Sequence, residues 1–358
     1  YWLLGILLFT GCDDYLKEDS GDLLIPGKVE EFLPMLYREG FPRNFDDEVA
    51  WLYLMTDDVE MGQLELDPDD ENNDTRDKNS VDAFSVGEGE EPYKWERDIK
   101  SYADNFWERR YGNILACNLV IDALPEMVYV EADSGSYNFL AAQAYAMRAY
   151  HYWCLVNSYA LPWSKENLDE PGVVIRTEPQ IDIAARRRSS IREVYDLINE
   201  DIENAEKYIK VATFDGNIHR LSEPAILLLA SRIALFQENW DEVIRTGKLF
   251  LAQNSIILNL NDQDTTLFGT EKGLSNKIFT MMDGTINKEV VFTFGTSSYS
   301  PYQYLSTSGE LFGLGFRPSH NTDASLIRSY EEGDLRKKAY FLKDIPAKKA
   351  ESMWEEDR

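Results

Sequence analysis

Along most of this chain, apolar residues recur at three- and four-residue intervals, the spacing that places them on one face of an α-helix. Between Ser101 and Leu124, residues Phe106, Ile114, Cys117, Ile121 and Leu124 share such a face, and Pro125 ends the pattern. A longer stretch sets Leu140, Ala141, Ala144, Tyr145, Arg148, Tyr152, Leu155, Val156 and Tyr159 along one side. Ser136 is its expected cap, and Pro162 closes it. Ser190-Ile191-Arg192-Glu193 has the form of a capping box, in which the Ser and Glu side chains each take an otherwise orphaned backbone N–H. The helix it opens runs to about Ile209 through Val194, Leu197, Ile198, Ile202 and Ala205. Ser222 opens a fourth helix through Phe236, and Trp240 lies just inside a fifth that continues to about Ala252.

From Leu227, the run LLLASRIALFQENWDEVIRTGKLFL resembles one tetratricopeptide unit. Ala230 and Ala234 are small where two helices must approach closely, Gln237-Glu238-Asn239 makes the turn, and Trp240 and Val243 are expected in the seam. Ala141–Tyr159 reads as the first helix of an earlier unit, and since one unit cannot bury its own apolar face, several must stack. Two regions break the helical pattern. Glu65–Asp98 holds 13 acidic and 4 basic residues with Pro68, Gly87, Gly89 and Pro92, the composition of a long solvated loop. Val290–Phe294 is a short strand candidate, followed by a Tyr-, Ser- and Gly-rich loop from Gly295 to Ser319. The fold class that follows is mainly α: tetratricopeptide-like helix pairs with long irregular loops and a few short strands.

Charge narrows the function. With 36 Lys and Arg against 64 Asp and Glu, the net charge is −28 over 358 residues, which argues against nucleic acid and against docking on anionic lipid. Three Cys without CxxC spacing and three well-separated His give no support to a metal centre, and no cofactor is called for. Cys117 and Cys154 fall on helix faces as small buried hydrophobes rather than nucleophiles. The acidic run Asp67–Asp74 fails the EF-hand register, because its sixth position lacks Gly and Lys78 stands where a bidentate carboxylate is needed. No nucleophile elbow, phosphate loop, dinucleotide fingerprint or zinc-protease helix is present. Asp57-Asp58 is a poor glycosidase pair, since neighbouring side chains on one element point different ways. His151 lies among aromatics on a helix and reads as a packed or interhelical residue. Arg186-Arg187-Arg188, the only basic run, reads as solvated beside acidic faces or as an anion contact.

The informative constellation is aromatic. Tyr 20, Phe 17 and Trp 8 make 45 rings, and several fall outside the periodic helices. Tyr93 and Trp95 end the acidic loop, and Trp163 follows Pro162. Tyr299, Tyr302, Tyr304, Phe312 and Phe316 crowd the segment after the strand candidate, with Arg317 beside them. Flat rings in loops either pin those loops to the helices or present platforms for the C–H faces of sugar rings. Tyr93, Trp95, Trp163, Tyr299, Tyr302, Tyr304, Phe312 and Arg317 are therefore the candidate ligand-binding residues, and none is catalytic.

The N-terminal run YWLLGILLFTG is uncharged and apolar and ends in small residues directly before Cys12-Asp13-Asp14. As a helix it would reach only about 16 Å, half a bilayer core. It matches the apolar core of a secretory signal ending in a lipoprotein-type cleavage site, with Phe9 where Leu is usual, and the segment is read as truncated upstream. Cys12 is then the lipidation site, carrying acyl chains each worth about 0.8 kcal/mol per buried methylene.

Several blocks together are similar to the SusD/RagB family of Bacteroidetes outer-membrane lipoproteins. They are Cys12-Asp13-Asp14-Tyr15-Leu16; Trp107, Tyr111, Ile114 and Asn118; and Arg148-Ala149, Tyr152, Leu155, Tyr159 and Pro162. Ser190 through Ile198, Ser222 through Trp240, and Arg317-Pro318-Ser319 through Gly333-Asp334 and Arg336 follow in the family's order. Ala160-Leu161 stands where the family usually has Gly-Asp. The resemblance implies a SusD-like fold and a cell-surface, lipid-anchored protein that binds and does not catalyse. Such a protein sits over a SusC-like TonB-dependent transporter and hands it oligosaccharides, or peptides in some members. It also implies that residues 1–11 are the remnant of a lipoprotein signal peptide, 12–22 a lipid-anchored tether, and 23–358 a SusD-like helical domain truncated at its C-terminus. A tetratricopeptide-type adaptor that binds only proteins is the competing reading.

Overall fold

In the computed structural model, residues 28–42, 55–61, 94–95, 106–127, 129–180, 185–262, 288–294, 316–318 and 325–339 are described. The chain is built on helices: α1 (Val29–Met35), α2 (Phe106–Ala123), α3 (Ser134–Tyr159), α4 (Ile191–Ile209), α5 (Glu223–Phe236), α6 (Trp240–Gln253), and the short α7 (Leu326–Ser329) and α8 (Leu335–Ala339). The α3–α4 interface is the most extensive, with α2 packed on α3 and α5 paired with α6.

Local chemistry accounts for most of these boundaries. Ser190 caps α4 as expected: its Oγ accepts from Glu193 N at 3.2 Å, while Ser190 N donates to Glu193 Oε2 at 2.7 Å. Ser222 Oγ accepts from Ala225 N, with Pro224 in the first turn of α5 where a missing N–H costs nothing. Asn239 caps α6 through Glu242 N, and Glu238 turns the chain between α5 and α6 with a left-handed φ of 54°. At Pro125 the α2 helix gives way to a single tight turn, Leu124–Glu126.

Three expectations need correction. First, α3 begins at Ser134, after the turn Glu131–Asp133, with Asp133 at the cap position and no side-chain cap bond; Ser136 lies within the first turn. The chain reaches that point because Gly135 is pressed against Thr213, whose Oγ1 would lie 2.1 Å from an added Cβ and whose N donates to Gly135 O at 3.1 Å. Second, Trp240 does not fill the α5–α6 seam. Ala230, Ile233, Ala234 and Thr246 are buried there, and Trp240 is 58% exposed, because a first-turn side chain leans back beyond the helix start. Third, Val290–Phe294 is not a strand. Its described backbone pairing is Thr293 N donating to Ile218 O at 2.9 Å, and Val291 and Phe292 pack on the helical core instead. Among the described residues the strands are β1 (Val59–Met61) and β2 (Phe316–Pro318), paired antiparallel with Met61 opposite Phe316, Glu60 opposite Arg317 and Val59 opposite Pro318.

The α1 helix carries Pro34, which cannot donate to the preceding turn, and passes into a wider π turn over Leu36–Gly40. Val29 and Phe32 of α1 and Leu36 of the π turn enter one apolar cluster with Cys117, Val120, the first half of α3 and the end of α4. A second cluster joins Ile114, Tyr152, Leu155 and Val156 to Val173, Ile191, Val194, Tyr195, Ile198, Ala230 and Ile233.

Candidate functional site

Between the two apolar clusters runs a buried polar line that the hydrophobic pattern did not reveal. From α3, Arg148 donates through Nε and Nη2 to Asp201 Oδ2 and Oδ1 on α4, at 2.8 and 2.7 Å. Its Nη1 donates to Asn118 Oδ1 on α2 at 2.9 Å, and Asn118 Nδ2 donates to the carbonyl of Arg176 at 2.9 Å. Burial pushes the Asp201 carboxyl up, to about 6, against the pull of the guanidinium, and the same pair of bonds holds Arg148 protonated.

The recipient of this line is the irregular segment that follows α3. Tyr152 OH accepts from Arg176 N and donates to Arg176 O, both at 2.7 Å, and Tyr111 OH donates to Val174 O at 2.6 Å. Gly172 N donates to Ser189 O at 2.7 Å, Ser189 N to Val173 O at 2.9 Å, and Ile191 N to Glu170 O at 3.0 Å. Gly172 has no Cβ for a reason: one would lie 3.0–3.1 Å from backbone atoms of residues 189–191. The polar core thus grips a strap of loop on the surface of α2, α3 and α4.

A second buried polar contact joins α1 to the bundle. His151 approaches Gly40 O through Nε2 at 2.8 Å and Arg110 Nη1 through Nδ1 at 3.1 Å. Desolvation and the Arg110 charge hold the imidazole well below its usual range, so it is neutral: Nε2 carries the proton and donates to Gly40, and Nδ1 accepts from Arg110. Its packed, interhelical role agrees with the sequence reading. So does that of Cys117, fully buried, with its thiol pushed up by desolvation; Cys154 is half-buried.

The candidate ligand residues divide. Trp95 is 68% exposed and sits in the left-handed region at φ 55°, a conformation that costs a non-glycine residue free energy and here turns a bare indole toward solvent. Trp163 is half-buried and meets Tyr195 edge-on, with centroids 4.6 Å apart, which pins the strap to α4. Arg317 lies in β2 opposite Glu60. Cys12, Tyr93, Tyr299, Tyr302, Tyr304 and Phe312 fall outside the described residues, as do the Asp67–Asp74 run and most of the acidic loop. Asp57 and Asp58 are exposed in a turn before β1. Arg186 pairs with Glu178 at 3.0 Å, and Arg188 donates to Tyr159 O while its guanidinium covers the Trp107 ring.

What joins the candidates is connectivity. In the antiparallel ribbon, the end of β1 (Met61) lies opposite the start of β2 (Phe316). In sequence, the acidic segment that ends in Tyr93 and Trp95 follows β1, and the Tyr299–Phe312 segment precedes β2. Among the described residues, no group of three or more His, Cys, Asp or Glu side chains is placed to hold a metal ion, and no helix is long and apolar enough to cross a membrane.

Helix pairs packed into two clusters, with irregular segments strapped over them, define a helical scaffold that displays loops. The comparisons place it in a family. A SusD-like family described as "Starch-binding associating with outer membrane" matches residues 42–235, and the chain belongs to that family. SusD-like protein P38 of Formosa agariphila is 28% identical over 158 residues, 43% of this chain and 27% of that protein. Two crystal structures share the fold: a Bacteroides vulgatus protein named for sugar binding (TM-score 0.52, 19% identity) and a SusD superfamily protein of Bacteroides thetaiotaomicron (TM-score 0.51, 15% identity). Each alignment covers 68% of this chain and 50% of the other, so the chain spans about half the length of these relatives.

Proposed function

We propose that this chain is the scaffold and part of the binding face of a surface lipoprotein that captures oligosaccharides and passes them to a SusC-like TonB-dependent transporter, without chemistry of its own. The acyl-carrying Cys12 would hold it to the outer membrane at the cell surface. Ligand would rest on the rings of the two segments that flank the β1–β2 ribbon in sequence: Tyr93 and Trp95 from one, Tyr299, Tyr302, Tyr304 and Phe312 from the other, together with Arg317. The observation that supports this reading is the register that sets Met61 against Phe316, with the acidic segment following one strand in sequence and the Tyr-rich segment preceding the other. The exposed, strained Trp95 supports the same reading, since strain at an exposed ring is retained where the ring is used. Trp163 enters as a secondary contact at most, because one edge of it is already spent on Tyr195.

The test is affinity electrophoresis in soluble starch and in a panel of β-glucans, comparing the native chain with Trp95→Ala and Trp95→Ala/Tyr302→Ala. Each stacking ring is worth about 0.5–1.5 kcal/mol, so the double variant should lose about tenfold in retention with an unchanged melting temperature. Retention that is the same in all three proteins would refute the loop platform.

A further inference from the structure

Along the seam of α3 and α4, four tyrosines meet in one row. Tyr129, on the approach to α3, stacks on Tyr137 of α3 with ring centroids 4.3 Å apart and planes 20° from parallel. Tyr137 meets Tyr208 of α4 edge-on at 6.4 Å, and Tyr208 lies alongside Tyr145 of α3 at 5.9 Å, with planes only 7° apart. Tyr137 and Tyr145 are about two helical turns apart, which sets them on one side of α3, and Tyr208 enters between them. The far end of the row is fixed. The Arg148 guanidinium lies 5.7 Å from the Tyr145 ring centroid and is itself locked to Asp201.

The row belongs neither wholly to the core nor wholly to the surface. Tyr137, Tyr145 and Tyr208 are half-buried against the first apolar cluster, while Tyr129, backed by Tyr137, is 42% exposed. The buried tyrosines of this chain spend their hydroxyls on backbone, as Tyr111 does on Val174 O and Tyr152 on Arg176 O. Tyr137 does the same with Leu124 O at 3.2 Å. The hydroxyls of Tyr145 and Tyr208 make no hydrogen bond among the described residues, and both reach water. Burial, and next to it Tyr208, raise the Tyr145 phenol, so it stays protonated at neutral pH and donates as well as accepts. Asn204 and Glu200 precede Tyr208 by one and two turns on α4, the spacing of one helix face. Asn204 Nδ2 donates to Glu200 O at 3.0 Å, which leaves its Oδ1 open.

A ring with an exposed face, continued by phenols and an amide with unused hydrogen-bonding capacity, matches the two sides of a sugar: C–H bonds on a ring face and hydroxyls around it. The exposed Glu200 carboxylate and the net charge of −28 set like charge against acidic sugars. We propose that this row is a second oligosaccharide contact, which takes a neutral sugar on the Tyr129 ring and bonds the sugar hydroxyls through Tyr208, Tyr145 and Asn204. It rests on the reading of the chain as an oligosaccharide binder, but it stands on α3 and α4 and uses none of the loop rings.

The test is affinity electrophoresis of the full chain in soluble starch and in the β-glucan panel. Tyr129→Ala and Tyr208→Phe are introduced singly into the native chain and into Trp95→Ala/Tyr302→Ala. Tyr129→Ala removes an exposed ring and should weaken retention about three- to tenfold in both backgrounds. Tyr208→Phe keeps the ring and loses only the hydroxyl, and should weaken it about threefold. In hydroxyl-radical footprinting, the retained glycan should protect Tyr129. Full retention by both variants, or a Tyr129 left unprotected, would overturn the row. Loss confined to the loop variants would likewise overturn it while leaving the loop platform standing; loss confined to Tyr129→Ala and Tyr208→Phe would uphold the row and refute the platform. A native chain that no glycan in the panel retains would overturn both.

Discussion

Replacing Arg148 with Met removes a charge that meets three partners while keeping an unbranched apolar stem of similar reach. In the native chain the guanidinium satisfies both oxygens of Asp201 and the carbonyl of Asn118, and all three side chains are buried. The variant leaves Asp201 as an uncompensated buried carboxylate, which costs about 3–5 kcal/mol, and strands Asn118 Oδ1, which adds about 1 kcal/mol. A total of about 4–6 kcal/mol is a large share of the roughly 5–15 kcal/mol that ordinarily separates folded from unfolded chains. The midpoint of urea unfolding, followed by circular dichroism at pH 7.5, should therefore fall by more than about 1 M. The pH dependence carries the sharper test. Burial already raises the Asp201 carboxyl, and without Arg148 it rises further above its unfolded value of about 3.9. A folded pKa above the unfolded one means that the folded state binds the proton more tightly, so the deficit is full above the raised value and shrinks as pH falls through it. The variant should regain stability relative to the native chain between pH 7.5 and pH 5. Arg148→Met/Asp201→Leu should return to within about 2 kcal/mol of the native chain, the residue being the orphaned Asn118. A loss below 1 kcal/mol in the single variant, or simple additivity in the double variant, would refute the idea that these groups act as one unit.

His151 has the opposite sign. Its folded pKa lies below the ordinary 6.5, so its contribution is full above pH 6.5 and is lost as pH falls below it. His151→Gln should flatten the decline in melting temperature between pH 6.5 and 5, and an unaltered profile would contradict the assignment of a neutral imidazole between Gly40 and Arg110. Gly172→Ala forces a methyl to within 3.0–3.1 Å of backbone that cannot yield, so strap protection in hydrogen exchange at residues 170–176 should collapse while α5 and α6 keep theirs. Ser190→Ala removes the α4 cap and should cost about 1 kcal/mol in a urea melt, with most of it restored by Ser190→Asp. Cys117 should resist iodoacetamide in the folded chain and react on unfolding, because burial raises its thiol; labelling of native Cys117 at the rate of a free thiol would rule this out.

Much of the scaffold was legible because its signals are local. The Ser190 box, the Ser222 cap and the Gln237–Asn239 turn are each written within a few residues, and α4, α5 and α6 begin where those signals place them. Where a boundary depended on a distant contact, the reading slipped: α3 starts before Ser136 because Gly135 is packed on Thr213. Val290–Phe294 has the composition of a strand, but a strand requires a neighbour, and this segment finds helices. The buried pair left a trace that was available: Arg148 falls in the apolar register of α3 beside Ala144 and Tyr152, and a charge in that register demands a buried counter-charge. Nothing local identifies that partner as Asp201.

By itself, then, the amino-acid order determined which segments are helices, where most of them start and stop, and which rings lie outside them, since periodicity and capping act over one or two turns. Tertiary structure alone decided that Arg148, Asp201 and Asn118 form one line through the core, that residues 59–61 pair with 316–318, and that Tyr129, Tyr137, Tyr208 and Tyr145 meet in one row across α3 and α4. Those outcomes depend on which surfaces meet after the chain has closed loops of tens to hundreds of residues, and no short stretch of sequence carries that information.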